Sequence, residues 1–360
     1  MDLHARTMYV CVLYQDGEIL LHRDMKAAPE PFLKAIASYR EDLVVCVECI
    51  VTWYWLADLC AQEGIPFVRG HALYMKAIHG GKAKNDRIDA HKIAVLLRGG
   101  MLPQAYVYPA AMRATRDLRR RRMHLTRKRA ELLAHIQHTN SQYNLPEIGK
   151  QLAYKANRDG VAERVPESAV QKRIDLDRTL IDAYDRLLTD LERDLVRTAK
   201  EHAAQTFYRL RSIPGVGKIL ALVRLYEIHD IHRFPRVQAF VSYCRLVKCA
   251  KEAAGKRDGT SGKKIGHAYR TWAFSEAAVL CLRNNPAGQK SRARLVKKHG
   301  QGNALTVLAH KLARAVSDMV KRETAFEMDT FFNASRSGAS EPAASLAAEG
   351  ISLAIECWCR

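Results

Sequence analysis

Four carboxylates carry the chemical interest of this sequence: Asp2 ahead of the first strand pair, Glu48 closing the apolar run 43–47, and Asp86 and Asp89 opening a helical stretch that runs to about Leu97. The three-residue spacing puts Asp86 and Asp89 on one face of that helix, and the positive end of the helix dipole favours negative charge in its first turn. Carboxylates suit hard divalent cations, and two such ions roughly 4 Å apart stabilise both the attacking and the leaving oxygen of an in-line phosphodiester displacement. Ordinary structural duties compete, since Asp86 could cap its helix and Asp89 could pair with Arg87 or Lys92. Glu48 is harder to place in that way, because a glutamate closing a buried apolar strand is costly without a partner or an ion. Just before Asp86, a glycine pair and Lys82 and Lys84 suit a loop that meets a phosphate backbone.

The elements that must position these groups read as an α/β layout. Residues 8–13 are apolar, aromatic or β-branched, and Gln15-Asp16-Gly17 turns the chain into a second short run at 18–21, which predicts a hairpin. A helix near 31–39 leads to the run 43–47, short and continuous like a strand buried on both faces. Another helix, 53–63, stops at Gly64 and feeds a strand at 66–68. Hairpin followed by alternating helix and strand is a nuclease-like α/β arrangement over residues 1–109. Trp53, Tyr54 and Trp55, beside the buried strand, are expected to pack rather than to stack on bases.

From 110 to 205 the sequence becomes long, charged and helix-forming, with breaks at Leu145-Pro146 and around 160–166. Its first helix holds Arg113, Arg116, Arg119, Arg120, Arg121, Arg122, Arg127, Lys128 and Arg129, with no acidic residue between Asp117 and Glu131. A cationic stripe that meets phosphates is expected there, each pairing releasing a counterion. A third unit, 206–333, opens at Ile213-Pro214-Gly215-Val216-Gly217. Gly215 and Gly217 would make a tight turn whose amides can hold a phosphate at a helix N-terminus, as in a helix-hairpin-helix, although a plain helix-helix turn is equally compatible. The small, polar and Ala-rich stretch 334–360 reads as a disordered tail.

Composition narrows the class of partner. A formal charge of +20, from 58 Lys and Arg against 38 Asp and Glu, is usual for proteins on nucleic acid or an anionic membrane. No stretch approaches the roughly 20 apolar residues of a membrane span and no secretion signal is evident, so DNA or RNA in the cytoplasm is the expected setting. The 9 cysteines lie mostly in apolar segments, like reduced core residues. Cys46 and Cys49 form a CxxC without a second pair at zinc spacing, and on a strand they would point to opposite faces.

Asp2-Leu3-His4-Ala5, Glu48, and Lys82-Ala83-Lys84-Asn85-Asp86-Arg87-Ile88-Asp89-Ala90-His91 resemble the DEDD transposases of bacterial insertion sequences, the bridge-RNA-guided recombinases. The resemblance spans about 2–333, with the middle helices similar to the family's coiled-coil segment and Ile213–Gly217 and Phe240–Lys248 similar to its C-terminal transposase domain. It implies an RNase H-like, Holliday-junction-resolvase fold for the first domain, with Asp2, Glu48, Asp86 and Asp89 holding Mg²⁺ or Mn²⁺. It further implies DNA cleavage and strand exchange, a serine nucleophile from the C-terminal domain, a homo-oligomer (dimer or tetramer) with a composite site, and a structured noncoding RNA pairing with target and donor DNA.

Two departures from the family pattern stand out. Only Met1 precedes Asp2, where the family's first strand begins several residues earlier, so either a misassigned start or a truncated copy is expected, with Asp2 poorly held. In 250–257, alanine stands at 253 where the family has serine, and alanine cannot attack a phosphodiester. Ser261, in a basic, glycine-rich stretch, is the alternative hydroxyl, though a cap or loop hydrogen bond is its ordinary role. Lys251, Lys256, Arg257, Lys263 and Lys264 surround it and are expected on a nucleic-acid backbone. Two competing functions remain: an endonuclease on branched DNA, which needs the carboxylates but no serine, and a defective copy that binds nucleic acid without chemistry.

Overall fold

The computed structural model describes residues 1–48, 51–78, 85–247, 249–253, 255–261 and 268–333. The expected tail 334–360, Cys49, and the basic residues Lys82, Lys84, Lys263 and Lys264 lie outside the described residues. The chain is mostly helical with a small N-terminal sheet, and it divides into two compact units.

The first unit begins with strands β1 (Asp2–Leu3), β2 (Thr7–Leu13) and β3 (Ile19–Lys26), antiparallel in that order. Strand β2 is a nearly continuous apolar run with Met8, Val10, Cys11 and Val12 buried, and Gly17, at φ +105°, makes the turn to β3. Helix α1 (Pro29–Ile36) packs Phe32 and Ile36 inward and leads to β4 (Val45–Glu48). After α2 (Tyr54–Gln62) the chain enters β5 (Phe67–Gly70), which pairs in parallel with β4, Val45 opposite Phe67 and Glu48 opposite Gly70. The Met1 nitrogen donates to the Cys46 carbonyl at 2.9 Å, which ties the start of β1 to β4. Helix α3 (Ala72–Ile78) and helix α4 (Asp86–Arg98) follow, α4 burying Ala90, Ile93 and Leu96.

Met8, Val10, Val12, Phe32, Ile36, Val45, Val47, Trp53 and Leu56 form one core. Trp53 stacks on Phe67 and lies under the Arg69 guanidinium, so it is a packing residue, as its position beside the strand predicts.

In the second unit, α5 (Ala110–Gln142) and α6 (Ser168–Arg211) are 33 and 44 residues long. The ion pairs Arg122–Glu192, Arg129–Asp185 and His135–Asp177 run up one helix and down the other, so the two are antiparallel. Ile174, Ile181, Leu188 and Leu195, each buried, recur every seventh position of α6, the period of a coiled-coil seam. The stretch between the helices packs Leu152, Val161 and Val165 against Ile136, Ile174 and Ile181, a small core of its own. Helix α7 (Lys218–Ile228) is buried from Leu220 to its end, and α8 (Val237–Tyr243), α9 (Ala268–Leu280) and α11 (Gln301–Arg322) pack around it. Helix α10 (Pro286–His299) and helix α12 (Met328–Asn333) close the C-terminal side. Along the chain between α8 and α9, strands β6 (Cys249–Ala253) and β7 (Lys256–Ser261) form a hairpin that belongs to the first unit.

Candidate metal centre and nucleic-acid interface

Asp2 sits in β1 opposite Tyr9 and is 5% exposed. The expectation of a poorly held Asp2 is therefore corrected: ladder pairing with β2 and the Met1 bond to Cys46 fix it from both sides. Asn85, not Asp86, caps α4, its side chain accepting from the Ile88 amide at 2.8 Å. Asp86 and Asp89 thus stand in the first turn with no capping duty, and the His22 ring on β3 lies 3.1 Å from the Arg87 carbonyl, which seats that turn on the sheet.

The structure brings Asp2 and Asp86 together across His4. The His4 Nε2 lies 3.5 Å from Asp2 Oδ2 and 3.3 Å from Asp86 Oδ2, and one ligand atom of each of the three falls within 4.8 Å of the others. Burial pushes the Asp2 carboxyl above its ordinary range; His4 pulls it down, and Asp86 and Asp89 push it further up. Asp89 is therefore near enough to be felt at Asp2, although it also pairs with Lys92 at 3.7 Å. Glu48 ends β4, half-buried, outside that three-residue group, and its charge reaches the Met1 amine.

A set of oxygen donors with one imidazole, one carboxylate desolvated by burial and repelled by its neighbours, fits a divalent cation, which would compensate both the lost hydration and the repulsion at Asp2. His4 is the group that residue-type reasoning overlooked. It lies two residues after Asp2, and the bend at 4–7, closed by the His4 amide on the Thr7 carbonyl at 2.9 Å, turns it back over the sheet edge.

The thiols give no competing metal site among the described residues. Cys11, Cys46, Cys60, Cys244 and Cys281 are free and buried, and burial pushes Cys46 up to about 11.

The cationic stripe on α5 is corrected in large part. Arg119 is 1% exposed and, with Arg116 and Arg120, bonds the fully buried carboxylate of Glu227 on α7. Arg122 bonds Glu192 and Arg129 bonds Asp185. The acidic partners that α5 lacks between Asp117 and Glu131 come from α6 and α7, so most of its arginines face the helices of the same unit. Burial lowers Arg119 to about 10, against the pull of Glu227. Arg121 and Arg127 remain exposed.

Gly215, at φ +78°, lies against the backbone of Leu280 and Cys281, where an added Cβ would come within 2.5 Å. Its glycine serves helix packing. Gly217 precedes α7 with open space around it, so the amide end of α7 is accessible at that point.

In the hairpin, Ala253 pairs with Lys256 at the tip and Ser261 pairs with Cys249 at the base. The two positions are thus at opposite ends of β7, about 16 Å of strand apart, and Ser261 does not occupy the place of residue 253. Lys256 is exposed; the side chains of Lys251, Arg257 and Ser261 lie outside the described residues.

Comparison with known proteins places both ends of the chain. A family model for DEDD transposases of the IS110 type matches residues 1–144, and one described as the transposase IS116/IS110/IS902 family matches residues 208–293. A curated transposase for insertion sequence element IS1111A from Coxiella burnetii (strain RSA 493 / Nine Mile phase I) is 24% identical over 340 residues, 91% of this chain and 90% of its own length.

Proposed function

Because the chain belongs to the DEDD transposases of the IS110 family, we propose that it cuts DNA at the ends of an insertion sequence by metal-dependent phosphodiester chemistry and exchanges the strands. The observation that carries this reading is the meeting of Asp2 and Asp86, 84 positions apart by their numbers, around one point within 4.8 Å. Strand order also supports an RNase H-like first domain, since β3, β2 and β1 lie antiparallel and β1 leads by way of Cys46 to the parallel pair β4 and β5. Asp2, Glu48, Asp86 and Asp89 would hold Mg²⁺, or Mn²⁺ in its place. Such ions, when bound, activate the attacking oxygen and stabilise the leaving one.

The chain's own residues do the rest. Asp2 is held rigidly by its strand, while the first turn of α4 aims Asp86 and Asp89 at the same edge, so the carboxylates need little reorganisation to bind. The exposed Arg121 and Arg127, Lys256, the lysines 82 and 84 before α4, and the α7 amide end at Gly217 would meet phosphate. By family resemblance, a structured noncoding RNA would select target and donor DNA, and two or more copies would complete the site. No helix among the described residues is long and apolar enough to cross a membrane.

One observation favours a second reading. Ala253 stands at the hairpin tip where the family pattern has serine, and Ser261 is at the far end of the same hairpin. On that reading the chain binds and nicks DNA, as a branched-DNA endonuclease would, without joining strands. Cleavage and strand transfer on supercoiled DNA bearing the element ends, with the cognate RNA, separate the two. Joined products from the unaltered chain support recombination and require a nucleophile other than residue 253; nicking alone, converted to joining by Ala253→Ser, supports the second reading. Failure to cut either DNA strand under any condition would overturn both.

A further inference from the structure

We propose that His4 is itself a ligand of the cation site, adding an imidazole nitrogen to the carboxylates and biasing the site toward Mn²⁺ over Mg²⁺. The inference rests on the metal-dependent reading above and extends it to a residue outside the four-carboxylate set. Three observations carry it.

The first is distance. His4 Nε2 stands 3.5 and 3.3 Å from oxygens of two different carboxylates. A charge-assisted N–H···O bond closes to about 2.7–2.9 Å, whereas donor atoms held at about 2.0–2.2 Å by one divalent ion stand about 3–4.4 Å from each other. Both distances at His4 fall within the range of atoms that share one ion.

The second is placement. His4 is half-exposed, with its side chain at 45%, so apolar packing does not dictate where the ring goes. Its backbone is nonetheless fixed by the bend between β1 and β2, and Asp86 is fixed by the Asn85 cap. Two rigid elements thus present the ring and the carboxylate to each other.

The third is chemistry. Neutral imidazole is a good ligand for first-row transition ions, while Mg²⁺ prefers oxygen and parts reluctantly with its water. Exchanging one oxygen donor for nitrogen therefore shifts the preference of a site that would otherwise take either ion.

The test is ion binding by the full-length protein without DNA, followed by calorimetry for Mn²⁺, by competition for Mg²⁺, and by the nitrogen modulation of the electron spin echo of bound Mn²⁺. The unaltered protein is expected to show imidazole nitrogen on Mn²⁺. His4→Ala should abolish that signal and weaken Mn²⁺ by at least about 10-fold while weakening Mg²⁺ less. His4→Asp should narrow the preference for Mn²⁺ by restoring an oxygen donor. Circular dichroism establishes that each variant is folded. Bound Mn²⁺ with no nitrogen signal, or unchanged Mn²⁺ affinity in His4→Ala while Asp86→Asn loses the ion, would overturn the role of His4 and leave the carboxylate site standing. Absence of any ion uptake by the unaltered protein would overturn both.

Discussion

Arg119 on α5 and Glu227 on α7 form an ion pair in which neither side chain is more than 1% exposed. Glu227 also takes bonds from Arg116 and Arg120, so one buried carboxylate is the shared partner of three guanidinium groups. Removing one partner from such a cluster typically costs about 3–5 kcal/mol, because the other charge stays buried and unpaired. Glu227→Gln is therefore expected to lower the thermal midpoint strongly, whereas Arg121→Gln, on the exposed face of the same helix as Arg119, should leave it nearly unchanged. Equal melting of the two variants by circular dichroism would contradict the assignment.

The same geometry sorts the arginines by their part in binding. For every phosphate that a side chain ceases to neutralise, the slope of log affinity against log salt falls by about 1. Replacing the exposed Arg121 and Arg127 by glutamine should flatten the salt dependence of DNA affinity measured by anisotropy. An unaltered slope would make this side of α5 a solvated surface.

The two glycines of the 213–217 turn should behave differently. Gly215→Ala meets the Leu280 and Cys281 backbone at an unfavourable φ, so it should destabilise the fold, by roughly 1–3 kcal/mol. Gly217→Ala has room. Its stability should be close to that of the unaltered chain, and a fall in DNA affinity there would register phosphate at the end of α7; identical stabilities for the two variants would remove the distinction.

A pH dependence follows from the α5 and α6 ion pairs. Burial pushes Glu192 upward, but bonds from Lys218 and Arg122 outweigh it and hold the group below its ordinary 4.5; Asp185, raised by burial, is likewise carried below 3.8 by Arg129 and Arg158. A carboxyl whose folded pKa is depressed stabilises the fold above its unfolded value and loses that contribution as pH falls through the folded one. The thermal midpoint should accordingly hold steady from pH 7 to about 5 and decline below about 4.5, with a shallower decline in Glu192→Gln. A profile identical in that variant would show that Glu192 contributes nothing to it.

How far the sequence foretold these features depends on the range of the interaction. The hairpin, the strand 45–48 and the start of α4 are set by local pattern and turn chemistry, and the expected positions lie close to the observed ones. The breaks at 145 and 160–166 do separate two long helices, because Pro146 and Gly160 interrupt otherwise continuous helix formers. The fate of the arginines was not legible: Glu227 is 108 positions from Arg119, and a charge run looks alike whether its partners are phosphates or a distant glutamate. His4 escaped notice for a related reason, since its meaning arises only when β1 and α4 bring Asp2 and Asp86 to either side of it.

The most direct measurement is Mg²⁺-dependent cleavage of supercoiled DNA carrying the element ends, with Asp89→Asn and Asp86→Asn compared with the unaltered chain at matched DNA affinity. Each substitution is expected to abolish cleavage while binding is kept or strengthened, because a negative charge is removed beside a phosphate. Undiminished cleavage by both variants would contradict a metal centre at Asp86 and Asp89.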